Sequence, residues 1–223
     1  MPKPEASQTS PTYAADLIDG VPGERVIHSS ERAFAGAVWD IRRDSFEYGG
    51  ETLVRDYMDH TGAVAVLALD ESDRVLLIQQ YRHPIAVRDW EIPAGLMDVV
   101  GESPLLGAKR ELAEEADLAA TDWSLLTEFY TSPGGSSESI RVYLARGLSA
   151  TETFARTGEE ADIERAWVPL DDVVTAVLER RVQNSVMCIA VLAAHASRER
   201  NWSTLGNVDE PWERREWVRG ERS

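Results

Sequence analysis

Two apolar runs separated by a short acidic turn restrict the fold more than any other feature of the sequence. AVAVLAL begins at Ala63, the turn DESD begins at Asp70, and RVLLIQQY begins at Arg74. Successive side chains of a strand point to opposite faces of a sheet, so a strand that is apolar throughout must be covered on both faces. The sequence therefore predicts two strands here, at least one of them buried between two layers.

The other predicted elements mix strands and helices without a regular order. Pro104 suits the first turn of a helix that begins near Ser103. A second helix is predicted at 170–181, and a third begins at Asn184 or Ser185 and continues through VMCIAVLAAHA, which is apolar almost all round and therefore buried against a sheet or a partner subunit. Strands are predicted at LLTEFYT, SIRVYLARG and ERAWVPL. Because regular βαβ alternation is absent, we expect an α+β fold built as a mixed-sheet sandwich rather than a doubly wound fold.

The composition divides the chain into four regions. Residues 1–14 are rich in Pro, Ser and Thr, and we expect a disordered tail. Residues 15–60 form a small β-rich subdomain, in which Gly49 and Gly50 suit a hairpin turn. The main domain covers 61–200. The tail at 201–223 carries Trp202, Trp212 and Trp217, which either pack on the core or contact another subunit.

Charge and cysteine content limit the partners and the compartment. The 223 residues include 23 basic and 39 acidic side chains, giving a net charge of −16. That charge disfavours binding to nucleic acid or to an anionic membrane. The longest apolar run is too short to span a bilayer. A single cysteine, Cys188, excludes an intramolecular disulfide, and we expect a cytoplasmic protein in a reducing compartment.

The predicted helix that follows Ser103 contains three closely spaced glutamates. At about 100° per residue, Glu114 and Glu115 lie roughly 60° and 40° to either side of Glu111 on the helical wheel. Leu105, Ala108, Leu112 and Ala116 form the neighbouring apolar stripe. The glutamates therefore border the buried face, where repulsion between like charges is stronger than in bulk water. A hard divalent cation bound by oxygen ligands would turn that repulsion into a binding site.

A solvated acidic helix is the alternative interpretation. Runs of the type ExxEE are common on exposed helices, and Arg110 can form an ordinary i,i+4 pair with Glu114. From these twelve residues alone, the solvated helix is favoured over a metal site.

The residues around the helix reverse that preference. Their pattern resembles the Nudix box, GX5EX7REUXEEXGU, a loop–helix–loop metal site that hydrolyses nucleoside diphosphates linked to another group; the matching positions are Gly95, Glu102, Arg110, Glu111, Leu112, Glu114, Glu115 and Leu118. Two positions differ from the pattern. The segment from Gly95 to Glu102 is one residue longer, so either Gly95 is shifted or Gly101 shares its turn. Asp117 replaces the glycine before Leu118, and aspartate tolerates a left-handed helix stop.

Further motifs resemble the ADP-ribose pyrophosphatase branch of that family. Pro133 lies fifteen residues past the box within TSPGGSSE, and QQYRHP and WEIPAG match a strand pair that leads into the box. The resemblance implies a Nudix-like α/β/α sandwich with a mixed sheet, and hydrolysis of ADP-ribose to AMP and ribose 5-phosphate. It also implies a homodimer in which the N-terminal β-sections exchange.

The resemblance assigns a metal-binding set by matching positions. The backbone carbonyl of Ala94 and the carboxylates of Glu111 and Glu115 would hold Mg²⁺ or Mn²⁺, and Glu114 would be a further ligand or a neighbour of the ligands. Metal ions in such a site neutralise the diphosphate, orient it for in-line attack and lower the pKa of a bound water.

Catalytic and substrate-binding candidates lie outside the box. In TGEEADIE, Glu160 matches the catalytic base of this branch, with Glu159 as the alternative; an ordinary acidic surface loop is the less favoured interpretation. Arg82 either contacts a phosphate or ribose of the substrate or forms a surface salt bridge. Glu91 either binds sugar hydroxyls or pairs with Arg82. Glu138 resembles a substrate-contacting position.

Two alternative functions are compatible with the sequence. The same chemistry could act on another nucleoside diphosphate sugar or a dinucleotide, such as GDP-mannose or NADH. A catalytically silent Nudix module that binds nucleotide is the other, although such a module would be expected to lose part of its carboxylate set. Here Glu102, Glu111, Glu114 and Glu115 are all present.

Overall fold

The computed structural model describes residues 17, 19, 26–153, 162–213, 215 and 216. The tail predicted at 1–14, the candidate bases Glu159 and Glu160, and Trp217 lie outside the described residues. In chain order, the strands and helices are β1 (Ile27–Phe34), β2 (Asp40–Tyr48), β3 (Glu51–Asp59), β4 (Ala63–Ala68), β5 (Arg74–Arg82), β6 (Val87–Glu91), β7 (Ala94–Leu96), α1 (Pro104–Ala116), β8 (Leu118–Tyr130), β9 (Ser139–Ala150), β10 (Glu164–Pro169), α2 (Leu170–Leu178) and α3 (Ser185–Arg198).

A mixed sheet forms the centre of the main domain. Its strand order is β7-β4-β9-β8, with β4 parallel to β9 and the other pairs antiparallel. All six residues of β4 are buried, as the continuous apolar run predicts. A second, antiparallel sheet has the order β10-β5-β6.

Helices cover both faces of these sheets. Alternate residues of β4 separate into two apolar clusters, since their side chains point in opposite directions. Ala65 and Leu67 pack with residues of α2 and α3, whereas Val64 and Val66 pack with Ala108, Leu112 and Ala116 of α1. The expected α+β fold, an α/β/α sandwich with a mixed sheet, is confirmed.

The N-terminal strands form a separate antiparallel sheet in the order β1-β2-β3. Gly49 and Gly50 connect β2 to β3 with φ values of 63° and 82°, which is the positive-φ turn predicted for this glycine pair. Every residue of β1 is exposed. At the far end of β3, the backbone of Met58 bonds to Gly135 and Ser137 of the β8–β9 connection.

The ends of the helices follow local sequence signals, with one exception. Ser103 Oγ accepts a hydrogen bond from the N–H of Leu106 at the start of α1, and Asn184 caps α3 in the same way. The expected end of α2 at residue 181 is wrong, because the helix stops at Leu178 and Arg180 adopts a φ of 63°. The third helix packs against the sheet, and its residues Met187 and Ala190 are completely buried.

The C-terminal tail packs on the core in its described part. Trp202 packs against the cluster formed with α2 and α3, and Trp212 belongs to the cluster formed with α1. Among the described residues, no helix is long and apolar enough to cross a membrane.

Candidate active site

The carboxylates of α1 line a polar cavity of about 470 Å³ beside strands β5 and β7. Glu111 and Glu115 are only 8% and 4% exposed, so their charges are largely withdrawn from water. The cavity contains five of the predicted site residues and five others; its lining is Gln80, Arg82, Ala94, Gly95, Leu96, Asp98, Arg110, Glu111, Glu114 and Glu115. The helical-wheel prediction that the three glutamates border the buried face is confirmed.

Gly95 allows α1 to approach β7 closely. A Cβ atom on Gly95 would lie 1.9 Å from the carboxyl of Glu111, so any side chain at this position would force that carboxyl to move. One residue earlier, the N–H of Ala94 donates to Glu115 Oε2 at 2.9 Å. Gly95 is therefore the glycine that the close approach of α1 to β7 requires. Gly101, farther along the loop, adopts a φ of 81°, and a Cβ there would meet nothing within 4 Å.

Arg110 provides the positive charge among the glutamates. Its guanidinium bonds to both carboxylate oxygens of Glu102 at 3.0 Å, to Glu114 at 3.2 Å and to Glu111. These hydrogen bonds lower the pKa of Glu102 and raise the pKa of Arg110. The predicted i,i+4 pair with Glu114 is therefore present, and it belongs to a larger network.

The donor set of the cavity suits a hard divalent cation. Carboxylate oxygens of Glu111, Glu114 and Glu115 are the ligand type preferred by Mg²⁺ and Mn²⁺. Within the described ranges, no three acidic, histidine or cysteine side chains converge as a metal cluster. Arg110 contacts two of the three glutamates, so a metal ion would have to share or replace those contacts.

Arg82 and Glu91 form a bidentate ion pair at the edge of the same cavity. The two Arg82–Glu91 distances are both 2.7 Å, and the side chain of Glu91 is 6% exposed against 40% for Arg82. The pairing alternative for Glu91 is therefore what the structure shows. The bidentate pair with Glu91 therefore fixes the orientation of the Arg82 guanidinium at the cavity.

Glu138 lies apart from the cavity, near the end of β3. It pairs with His60 Nε2 at 3.2 Å and accepts a hydrogen bond from Thr131. His60 Nδ1 accepts from the N–H of Gly62, and the imidazole stacks on Trp39 with ring centroids 4.2 Å apart. Burial lowers the pKa of His60, and the neighbouring carboxylates of Glu138 and Asp59 oppose that shift.

The sequence interpretation missed two polar residues of the cavity. Gln80 precedes Arg82 by two positions on β5, so the two side chains share one face of the sheet. The two-residue spacing from Arg82 could therefore have identified Gln80 as a cavity residue from the sequence. Asp98 lies in the loop between β7 and α1, and its sequence neighbours give no indication that it faces the glutamates.

Comparison with known proteins identifies the family of this chain. The model of the family described as the NUDIX domain matches residues 59–187, more than half of the chain. The chain belongs to the Nudix family. The match includes the whole cavity and excludes β1 and β2. Nudix hydrolases in general require a divalent metal ion.

Individual relatives and a solved structure agree with this assignment. An ADP-ribose pyrophosphatase of Mycobacterium tuberculosis is 43% identical over 169 residues, which cover 75% of this chain and 82% of that protein. An ADP-ribose pyrophosphatase of Bacillus subtilis is 35% identical and covers 73% of this chain and 88% of its own. A crystal structure of an ADP compounds hydrolase has a TM-score of 0.69 at 20% identity, covering 82% of this chain and 98% of the other. That last likeness supports the fold alone.

Proposed function

We propose that this Nudix hydrolase cleaves the diphosphate linkage of ADP-ribose, giving AMP and ribose 5-phosphate, with Mg²⁺ or Mn²⁺ as the metal. The observation that carries the proposal is that Arg82, Glu111, Glu114 and Glu115 line one cavity. A diphosphate carries negative charge, and the cavity offers a fixed guanidinium beside carboxylates suited to a cation. The two relatives named ADP-ribose pyrophosphatase support this choice of substrate.

The residues of the cavity have separate roles in this proposal. Glu111, Glu115 and the carbonyl of Ala94 hold the metal, with Glu114 beside them. A bound divalent ion neutralises the diphosphate and lowers the pKa of an attacking water. The hydrogen bond from the Ala94 N–H to Glu115 fixes that peptide relative to α1, so the ligands are oriented before substrate arrives.

Substrate orientation is the proposed role of Arg82. Its planar guanidinium can bind a phosphate oxygen pair while Glu91 holds it from the other side. Preorganising a charged donor in this way means that little reorganisation accompanies the reaction. Glu91 is therefore a positioning residue for Arg82. Glu138 is the remaining proposed substrate contact, reached by the part of the substrate that extends beyond the cavity.

Glu160 is the proposed general base, with Glu159 as its alternative. Asp162 and Glu164 follow these residues in the chain, and Arg88 of β6 bonds to the backbone and side chain of Asp162 and to Glu164. Since β6 pairs with β5, Arg88 joins Asp162 and Glu164 to the strand pair that presents Arg82. Glu160→Gln should lower turnover while metal affinity changes little, as expected of a base rather than a ligand.

Product analysis tests the proposal directly. Purified protein is incubated with ADP-ribose with and without Mg²⁺ or Mn²⁺, and AMP and ribose 5-phosphate are quantified. Metal-dependent appearance of both products is expected. Parallel incubations with ADP-glucose, GDP-mannose and NADH measure specificity, and a clear preference for GDP-mannose would contradict the choice of substrate. Absence of turnover on all four would favour a silent nucleotide-binding module.

We also infer a homodimer and a cytoplasmic location. The dimer is supported by the exposed N-terminal sheet, in which Phe34, Tyr48 and Val54 are apolar and exposed. The location is supported by the single cysteine, Cys188.

A further inference from the structure

The C-terminal strap, defined here as residues 207–213 together with Arg215 and Glu216, crosses the α1 side of the central sheet. Its Trp212 is 4% exposed and packs with the α1 cluster. Two guanidinium groups contact that indole ring: Arg141 lies 5.1 Å and Arg215 lies 5.5 Å from the ring centroid. Both cation–π contacts help to hold the strap at a defined position.

Arg141 of β9 fixes the strap through its backbone. The residue is 2% exposed, and a buried guanidinium must have its donors satisfied. It pairs with Glu128 of β8 and donates to the carbonyls of Glu210 at 2.8 Å and Pro211 at 3.1 Å. The strap therefore supplies two of the acceptors that the buried guanidinium of Arg141 requires, so its contact with the core is more than the packing of a tail.

Arg215 extends from this anchored strap to the loop that leads into the site. Its Nε donates to the carbonyl of Thr61 at 2.9 Å, and its second amino group donates to the carbonyl of Met97 at 3.3 Å. Gly62 makes room for it, because a Cβ there would lie 2.8 Å from Arg215 Nε. The N–H of Met97 in turn donates to the carbonyl of Gly62. Arg215 thus joins the segment that enters β4 to the segment that leaves β7.

Strand β7 needs such an anchor. It has three residues and lies at the edge of its sheet, with β4 as its one neighbour in the described strand order. Short edge strands are weakly held. Ala94 and Gly95 belong to this strand, and Asp98 of the same cavity follows directly after Met97. A displacement at Met97 would therefore move the backbone that meets Glu111 and Glu115.

We propose that Arg215 is a positioning residue for the metal site, and that the C-terminal strap is a functional part of the hydrolase. The proposal rests on the metal-binding role assigned above to Ala94, Glu111 and Glu115. Arg215 acts through the carbonyls of Thr61 and Met97 and does not touch substrate.

Mn²⁺ titration of the full chain, followed by the electron paramagnetic resonance signal of free Mn²⁺, tests the proposal without requiring turnover. We expect Arg215→Ala to raise the Mn²⁺ dissociation constant about tenfold, the lower end of the effect seen when a group that orients metal ligands is removed. Arg215→Lys, which keeps a charged donor, should recover most of the affinity. If Arg215→Ala fails to fold, Arg215→Gln takes its place in the comparison.

Two controls separate positioning from general stability. Glu213→Ala changes an exposed side chain of the strap, and Thr204→Val removes the 2.7 Å hydrogen bond to Ser197, away from the loop. Both should keep the dissociation constant within about twofold of the wild-type value, because neither loses a bond to the loop. An unchanged constant in Arg215→Ala, or an equal change in Thr204→Val, would overturn the proposal. If wild-type protein binds Mn²⁺ but does not cleave ADP-ribose, the proposed function fails while this test still decides the role of Arg215.

Discussion

Glu115 combines burial, a backbone hydrogen bond and a position facing the cavity. Replacing it with glutamine keeps an oxygen that can accept from the Ala94 N–H but removes the charge proposed to bind the metal. Loss of a charged ligand removes several kcal/mol of transition-state stabilisation. We expect Glu115→Gln to lower kcat by roughly a thousandfold or more. Steady-state kinetics at saturating Mg²⁺ measures this.

The control for Glu115→Gln is a thermal unfolding curve on the same preparation. The melting temperature should change little, because the glutamine side chain fills the same volume. Activity close to that of the wild type would show that the metal site has been assigned to the wrong residues.

Gly95 and Gly101 provide a matched pair of glycine substitutions. Gly95→Ala places a methyl group 1.9 Å from the Glu111 carboxyl, so the ligand must move and metal affinity should fall by at least tenfold. Gly101→Ala meets open space and only imposes a positive φ on alanine, at a stability cost of about 1 kcal/mol. Mn²⁺ titration and thermal unfolding of both variants distinguish the effects. Equal affinity in the two variants would mean that Gly95 is not the glycine of the box.

At the scale of elements, α1 ends at an aspartate where the family pattern has glycine. Asp117 has φ 55° and ψ 39°, and its N–H donates to the carbonyl of Ala113, so the left-handed stop expected for this aspartate is present. Its carboxylate also pairs with Arg165 of β10 at 2.7 Å. The side chain therefore ends the helix and joins it to the second sheet.

Substituting Asp117 with either glycine or alanine separates these two roles. Both variants lose the pair with Arg165, but only alanine has a Cβ in the left-handed region. We expect Asp117→Ala to be less stable than Asp117→Gly by about 1 kcal/mol, the usual difference at such a position. Urea unfolding of both variants measures it. Equal stability would show that the backbone conformation of residue 117 contributes nothing to ending the helix.

Local signals predicted some elements well and others poorly. The caps at Ser103 and Asn184 are read from neighbouring residues, and both helices begin where those residues indicate. Strand β8 was predicted at 125–131 but begins at Leu118, directly after α1. Its first half is a sheet edge with exposed and polar positions, and it is strand because β9 pairs with it, a partner that no local window contains. Pairing between distant segments overrides weak local preference.

At the scale of the whole molecule, the site also contains some residues that local sequence predicted and others that it did not. The proposed metal ligands Ala94, Glu111, Glu114 and Glu115 lie on β7 and α1, so their proximity followed from spacing and from the resemblance. Asp98 joins the cavity through the course of a loop, and the strap reaches Thr61 and Met97 from the far end of the chain. Such long-range placements depend on the packed fold. Sequence position therefore indicated the proposed ligands but not the groups proposed to hold them in place.

The remaining prediction is that the N-terminal sheet forms the interface of a homodimer. Phe34 and Val54 are 63% and 52% exposed on this sheet, so it offers apolar side chains that a partner subunit could cover. A homodimer formed by exchange of this sheet would bury them. We therefore expect a dimer in light scattering coupled to size-exclusion chromatography, and a shift to monomer in the double variant Phe34→Asp, Val54→Asp.

A control uses an exposed apolar residue elsewhere. Val100 is completely exposed in the loop between β7 and α1, so Val100→Asp introduces the same type of substitution, with one added charge instead of two, without touching the N-terminal sheet. It should remain dimeric. Dissociation of the double variant alone would assign the interface to the N-terminal sheet, because burying an unpaired carboxylate opposes association. A monomeric wild-type protein at micromolar concentration, or a double variant that stays dimeric, would contradict the exchange of N-terminal sheets.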